Sequence, residues 1–287
     1  ADENQTSIGT VTATDADGDT ITYSISGTDS ESVSINSSSG VLTFNSAPNY
    51  ESKTSYSIVA SASDGVNETN QNITITINNI NEAPAFTSSA SFSADENQTS
   101  IGSVSVTDPE NATLSYSLSG TDASSLDISD SGVLSFGSAP NYESKNSYSA
   151  TVAASDGTNS SNQDITISIT DVNDAPVATA ASYYLNLLPQ DQSGGDITLG
   201  ATDEDGDSLT YSIVNDASYG TTSISGSTLT YLTNSSTQSA QTESFTFKVN
   251  DGTVDSSAAT ISIDLRTDPL YKYQWHLNNT GQTNFAT

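Results

Sequence analysis

Apolar residues in this chain recur at every second position over short runs: Ile21, Tyr23 and Ile25, then Tyr56, Ile58, Ala60 and Ala62, then Ile73, Ile75 and Ile77. Successive side chains on a pleated strand point to opposite sides, so a period of two predicts strands with one face buried and one in water. The turn-forming pairs Asp64-Gly65, Asp156-Gly157 and Asp251-Gly252 punctuate these runs at the spacing of an all-β sandwich. No stretch carries an apolar stripe at helical period, so no helix is predicted.

Self-similarity groups the strands into units. Residues 1–9 (ADENQTSIG) return unchanged at 94–102, and 46–53 (SAPNYESK) return at 138–145, with one residue dropped in the 28–40 region, read as a surface loop. Both units close alike, on Asn81-Glu82-Ala83-Pro84 and on Asn173-Asp174-Ala175-Pro176. A more distant third unit repeats the acidic segment of 13–19 at 201–207. The predicted domains are 1–82, 83–174 and 175–265, followed by a tail of different composition at 266–287. The first unit is cut short at its N-terminus, because residues 85–93, an edge-strand candidate in the second unit, have no counterpart before Ala1.

Length agrees with this division: 287 residues suit about three domains of ~90 residues. Low hydrophobicity with high charge is also the mark of disorder, but regular alternation and a supply of 13 Tyr and 7 Phe for cores argue against it. The charge balance is extreme, 35 Asp plus Glu against 5 Lys plus Arg for a formal net charge of -30. Nucleic acid and anionic membrane surfaces are thereby poor partners, and cations are the natural ones. With no Cys there is no disulfide, no thiol nucleophile and no Cys-based metal site. No apolar run approaches the roughly 20 residues of a membrane span, and Ala1-Asp2-Glu3-Asn4 does not resemble a signal segment, so an excised fragment of an extracellular or surface protein is expected, with no direct membrane insertion.

The acidic residues recur at places that a Greek-key sandwich puts in its end loops. One group is Glu3 and Glu51, with Asn49 beside the latter, joined by Asn79, Asn81 and Glu82 of the exit linker. The opposite end of the second unit supplies Asp108 and Glu110, two apart and so able to share a metal, with Asp156 from an Asp-Gly turn. So many carboxylates at one junction repel one another unless a cation neutralises them. Ca2+ fits best, since it takes six to eight oxygens in loose geometry, whereas Zn2+ wants His or Cys and Mg2+ a strict octahedron. An EF-hand loop opening at Asp15 fails, because its twelfth position is Ser26. Taken singly, each motif is equally an ordinary turn or polar linker; their joint recurrence carries the metal reading.

In order, Glu3-Asn4 with Ile8-Gly9, Thr14-Asp15-Ala16-Asp17, Ser39-Gly40-Val41-Leu42, Asn49-Tyr50-Glu51, Ala62-Ser63-Asp64-Gly65 and Asn81-Glu82-Ala83-Pro84 resemble the motifs of cadherin repeats. The resemblance implies three tandem Greek-key, immunoglobulin-like β-sandwiches in an elongated array with calcium at each junction. It implies a first ligand set of Glu3, Glu51, Asn79, Asn81, Glu82, Asp108, Glu110 and Asp156, and a second of Glu96, Glu143, Asp171, Asn173, Asp174, Asp203, Asp205 and Asp251. It also implies a half-site of Asp15, Asp17 and Asp64. The linker Asp171-Val172-Asn173-Asp174-Ala175-Pro176 is one residue shorter than that of animal cadherins and is similar to the bacterial variety. Asn49 and Asn141 stand where the family has a liganding Asp, and Asn81-Glu82 stands where it has Asn-Asp, which implies weaker binding at the first junction. The third unit resembles the cadherin-like tandem repeats of bacterial surface proteins; lacking an Asn-Tyr-Glu element, it has no full site expected at its far end.

The tail from Asp268, with Tyr273-Gln274-Trp275-His276-Leu277-Asn278-Asn279-Thr280-Gly281, resembles the opening of subtilisin-like and kexin-like serine protease domains. The single His276 has no oriented Asp and Ser around it, so the chain itself is not expected to be an enzyme even if its parent carries an endopeptidase. Two functions follow: a calcium-stiffened adhesive or spacer rod, or a substrate-targeting arm of a secreted protease that binds cell-surface protein or polysaccharide.

Overall fold

The computed structural model describes residues 1–187, 193–234 and 239–267. Of the predicted tail, Arg266 and Thr267 belong to the last strand, and 268–287, including Trp275 and His276, lie outside the described residues. Strands make up nearly all the regular structure, and the fold is that of tandem β-sandwiches.

The first sandwich comprises β1 (Ser7–Thr10), β2 (Thr22–Ser26), β3 (Val33–Ile35), β4 (Val41–Phe44), β5 (Ser55–Ser63) and β6 (Glu68–Thr76). Its sheets run β1-β4-β3 and β2-β5-β6. The second holds β7 (Ala85–Phe86), β8 (Ser91–Asp95), β9 (Ser100–Ser103), β10 (Val106–Thr107), β11 (Ser115–Ser119), β12 (Leu126–Ile128), β13 (Val133–Phe136), β14 (Ser147–Ser155) and β15 (Ser160–Thr170). Here the sheets run β12-β13-β9 and β11-β14-β15-β8, with β10-β7 as a separate pair. The third holds β16 (Val177–Thr179), β17 (Ala181–Leu187), β18 (Gly194–Thr198), β19 (Gly200–Thr202), β20 (Thr210–Asn215), β21 (Gly220–Ser225), β22 (Thr228–Thr233), β23 (Gln241–Asn250) and β24 (Ala259–Thr267). Its sheets run β18-β22-β21 and β17-β24-β23-β20, with a β16-β19 pair, and β17 lies parallel to β24.

Residues 85–93, expected as one edge strand, form two: β7 pairs with β10, while β8 joins the four-stranded sheet. The residue dropped between the repeats falls in the β3–β4 turn, which spans 36–40 in the first unit and 129–132 in the second. Gly40 closes that turn at φ +71°, accepting from the Val11 amide, and a Cβ there would meet the Val11 carbonyl oxygen at 2.1 Å. Only glycine fits.

The inward faces interleave as the alternation predicts. Val33, Leu42, Phe44, Ile58, Ile75 and Ile77 build the first core, with Phe44 edge-to-face on Tyr56 at 4.9 Å. Phe136 and Tyr148 repeat that pair at the same separation in the second. The third buries Tyr231, Phe245 and Phe247 among Leu185, Ile197, Leu229 and Ile261. One departure lies at the end of β5, where Ser61 is buried and Ala62 only half so; the Ser61 hydroxyl bonds the Asn70 side chain across to β6, which meets its polar need.

Contacts among the described residues divide into two compact units: one of 1–94, 98–140 and 147–169, the other of 95–97, 141–146 and the described residues from 170 to 267. Each holds one cluster of predicted acidic residues.

Candidate metal centres

Glu3 sits 1% exposed at the N-terminal end of the first unit. Its two oxygens accept backbone amides from different segments, Oε1 from Ile80 at 2.7 Å and Oε2 from Tyr50 at 2.8 Å. One carboxylate thus ties the start of the chain, the Asn-Tyr-Glu loop and the exit linker together. Glu96 does the same in the second unit, taking Val172 and Tyr142 amides at 2.8 Å each, and is also 1% exposed. Charge-assisted bonds to backbone amides make such burial tolerable.

Around each buried Glu the structure gathers more carboxylates. Glu3, Glu51, Glu82 and Glu110 present oxygens that all lie within 4.8 Å of one another, and so do Glu96, Glu143, Asp171 and Asp205. A third group, Asp203, Asp205 and Asp207, adjoins the second through Asp205. Asp207 is not among the sequence-predicted ligands; the two-residue spacing Asp203-x-Asp205-x-Asp207 is the signal that would have found it.

Among the described residues, Lys53 pairs with Asp29, Lys248 with Asp255 and Arg266 with Asp264, all outside these groups. Six carboxylate oxygens are buried with no hydrogen-bond partner: Glu82 Oε2 and Glu110 Oε1 in the first unit and Asp203 Oδ2 and Asp205 Oδ1 in the second belong to these groups, while Asp108 Oδ2 and Asp174 Oδ2, on residues predicted as ligands, fall outside them. Buried carboxylate oxygens without donors are costly, so these are the positions where a bound cation would have most effect.

The electrostatics follow. Burial, then the negative charges of Asp205 and Glu96, pushes the Asp171 carboxyl above its ordinary value, and burial with Glu96, Glu204 and Asp205 does the same to Asp174. At Glu51 its own backbone amide lowers the value, but desolvation and the charges of Glu3, Glu110 and Glu82 outweigh it; Glu143 is raised by the same balance, with Glu96, Asp205 and Asp171 as its neighbours. Asp156 and Asp251 go the other way. The Asn81 amide donates to Asp156 at 2.8 Å and the Asn173 amide to Asp251 at 2.9 Å, and with backbone donors from their own turns both carboxyls are held below the ordinary value.

Asn49 and Asn141 have their Oδ1 atoms occupied, accepting the amides of Ser52 at 2.7 Å and Ser144 at 2.6 Å, so they cap the ligand-bearing loop. Asn79 lies exposed in the exit linker. Asp15, Asp17 and Asp64 are not gathered into a group of this kind among the described residues. Instead Asp15 accepts the amides of Asp17 and Asp19, and Asp64 those of Val66 and Asn67, as turn caps; with Ala13, Ile21 and Thr69 they border a groove of about 290 Å³.

The donor set is all oxygen, largely carboxylate, drawn from loops, with unpartnered buried oxygens among it. It fits Ca2+, which accepts many oxygens without a fixed polyhedron, better than Mg2+ or Zn2+.

Comparison with known proteins agrees with this architecture. A cadherin-domain profile matches residues 1–78 and a bacterial Ig-domain profile matches 173–264. Chitinase A of Pseudoalteromonas piscicida is 35% identical over 109 residues, covering 37% of this chain and 13% of its own length. Protocadherin Fat 4 of Mus musculus is 31% identical over 203 residues, covering 66% of this chain and 4% of its own. The chain therefore spans a small part of these relatives. Human CDH23 EC21-23 superposes with a TM-score of 0.61 at 20% identity, over 91% of this chain and 94% of that one. Mouse cadherin-23 EC22-24 gives 0.57 at 22%, over 93% and 95%. At these identities the likeness shows the fold: a tandem β-sandwich of the cadherin ectodomain type, whose first repeat matches the cadherin domain and whose third matches the bacterial Ig domain.

Proposed function

We propose that this chain is a non-catalytic, calcium-dependent spacer or adhesion module of an extracellular protein, in which Ca2+ bound at the two carboxylate clusters stiffens successive sandwiches. The observation that carries the reading is the set of buried, donorless carboxylate oxygens, four of them on Glu82, Glu110, Asp203 and Asp205 of the gathered groups. Glu3, Glu51, Glu82, Asp108, Glu110 and Asp156, with Asn81, would hold calcium in the first unit. Glu96, Glu143, Asp171, Asp174, Asp203, Asp205 and Asp251, with Asn173, would hold it in the second. The ion would supply charge neutralisation and a link between linker and loops, which side chains of one sign cannot provide for themselves. The repeats bounded at 82/83 and 174/175 then act as spacers. A targeting arm for a secreted hydrolase is the second reading, favoured by the match to part of a chitinase; its partner would be a cell-surface protein or polysaccharide.

Small-angle scattering in calcium and in chelator tests the spacer. Stiffening predicts a narrower distribution of interatomic distances in calcium at constant ionic strength; indistinguishable profiles would remove it. Adding polysaccharide to the calcium-loaded chain separates the second reading.

A further inference from the structure

Both repeats that begin ADENQTSIG carry an asparagine with an unusual backbone: Asn4 and Asn97 each stand at φ +60°. A non-glycine residue in the left-handed region is uncommon and persists where its surroundings hold it. In each case the side chain reaches across the fold to a linker carboxylate. Asn4 Nδ2 donates to Glu82 Oε1 at 2.6 Å, and Asn97 Nδ2 donates to Asp174 Oδ1 at 3.0 Å. The other oxygen of each carboxylate, Glu82 Oε2 and Asp174 Oδ2, is buried and unpartnered. The next carboxylate repeats the division: Glu110 Oε2 and Asp205 Oδ2 accept the amides of Glu82 and Asp174, leaving Glu110 Oε1 and Asp205 Oδ1 bare. The same division holds with Glu in one unit and Asp in the other, so it belongs to the arrangement and not to one side-chain length.

We infer that Asn4 and Asn97 are positioning residues for the two clusters: each amide takes one oxygen of the linker carboxylate and thereby turns the other toward the cation. The inference rests on the calcium reading above. A donor of this kind fixes a ligand's rotamer before the ion arrives, and losing such a partner commonly weakens metal binding by ~10–100-fold. Asparagine suits the place because it tolerates positive φ while bringing an N–H donor on a short side chain.

Calorimetric titration of the full chain with CaCl2 tests it, using Asn97→Gly, which keeps the left-handed backbone and removes the amide, and Asn97→Ala, which removes the amide without adding charge. Both are expected to lose about tenfold or more in affinity at one class of sites while the other class, served by Asn4, is unchanged; Asn4→Gly should reverse the pattern. In an Asp174→Ala background, Asn97→Gly should cause no further loss, which a merely structural role would not produce. Affinity within twofold of wild type in both Asn97 variants, or full additivity with Asp174→Ala, overturns the inference. A wild-type chain that takes up no calcium removes the calcium reading itself and is distinguished from either.

Discussion

Replacing Asp205 by Asn changes one charge at the centre of the second cluster with almost no change of shape. In the absence of metal, Asp205 and the buried Glu96 hold carboxylate oxygens no more than 4.8 Å apart. Two unit charges at that separation repel by roughly 0.9 kcal/mol at the dielectric of water and roughly 3.5 kcal/mol at an effective value of about 20. The amide of Asp174, 2.7 Å from Asp205 Oδ2, can still be accepted by an Asn oxygen, so the main structural bond survives. Asp205→Asn is therefore expected to stabilise the calcium-free chain by about 1–3 kcal/mol. With calcium the sign reverses, because the unpartnered Asp205 Oδ1 becomes an N–H₂ that cannot ligate. Urea denaturation followed by circular dichroism reads both arms: in chelator the variant's midpoint should lie higher by on the order of 0.5–1 M, and in millimolar calcium it should lie below wild type. A variant less stable than wild type in chelator as well would refute the repulsion argument, and equal midpoints in calcium would refute the ligand role.

The calcium-free chain should respond to pH in two windows. Asp171 and Asp174 are held above 3.8, and Glu51 and Glu143 above 4.5, so each binds its proton more readily folded than unfolded, and stability should rise as pH falls from 7 toward those values. Asp29, Asp64, Asp156, Asp251 and Asp255 are held below 3.8, so their stabilisation is complete above that value and is lost as pH falls through their folded values. Melting temperature in chelator should thus pass through a maximum on acidification; a steady fall from pH 7 would contradict the raised groups. Glu243, 1% exposed, accepts backbone amides from Ser218, Tyr219 and Ser244 within the third sandwich, so Glu243→Gln should cost about 1–3 kcal/mol in denaturant titrations, equally with and without calcium. Leu134→Ala, at a side chain with no exposure, should lower second-sandwich stability by about 2–5 kcal/mol by equilibrium denaturation.

The sandwich was legible because its signal is local: alternation at Tyr56-Ile58-Ala60 and turn pairs such as Asp64-Gly65 state face and turn without reference to distant residues. The gathering of Glu3 with Glu51, Glu82 and Glu110 was legible from the repeat, which places equivalent acids at equivalent ends. What escaped depends on single side-chain bonds. Nothing in the sequence says that Asn49 caps its loop through Oδ1, that Asn4 reaches Glu82, or that Ser61 is buried against Asn70. The division of 85–93 into two strands escaped for a related reason: Phe86 and Phe92 alternate in phase, but β7 and β8 pair with different partners. Asp15 and Asp64 accept turn amides just as Asp156 and Asp251 do, so those bonds do not separate a ligand from an ordinary turn residue.

Calcium is expected to bind the folded chain in preference to the unfolded one. A thermal melt in millimolar calcium, in chelator and in equal magnesium measures that directly, because a ligand selective for the native state must raise its stability. A large rise with calcium and little with magnesium is the predicted result; superimposable melts in all three would leave the clusters as solvated acidic surface and contradict the account.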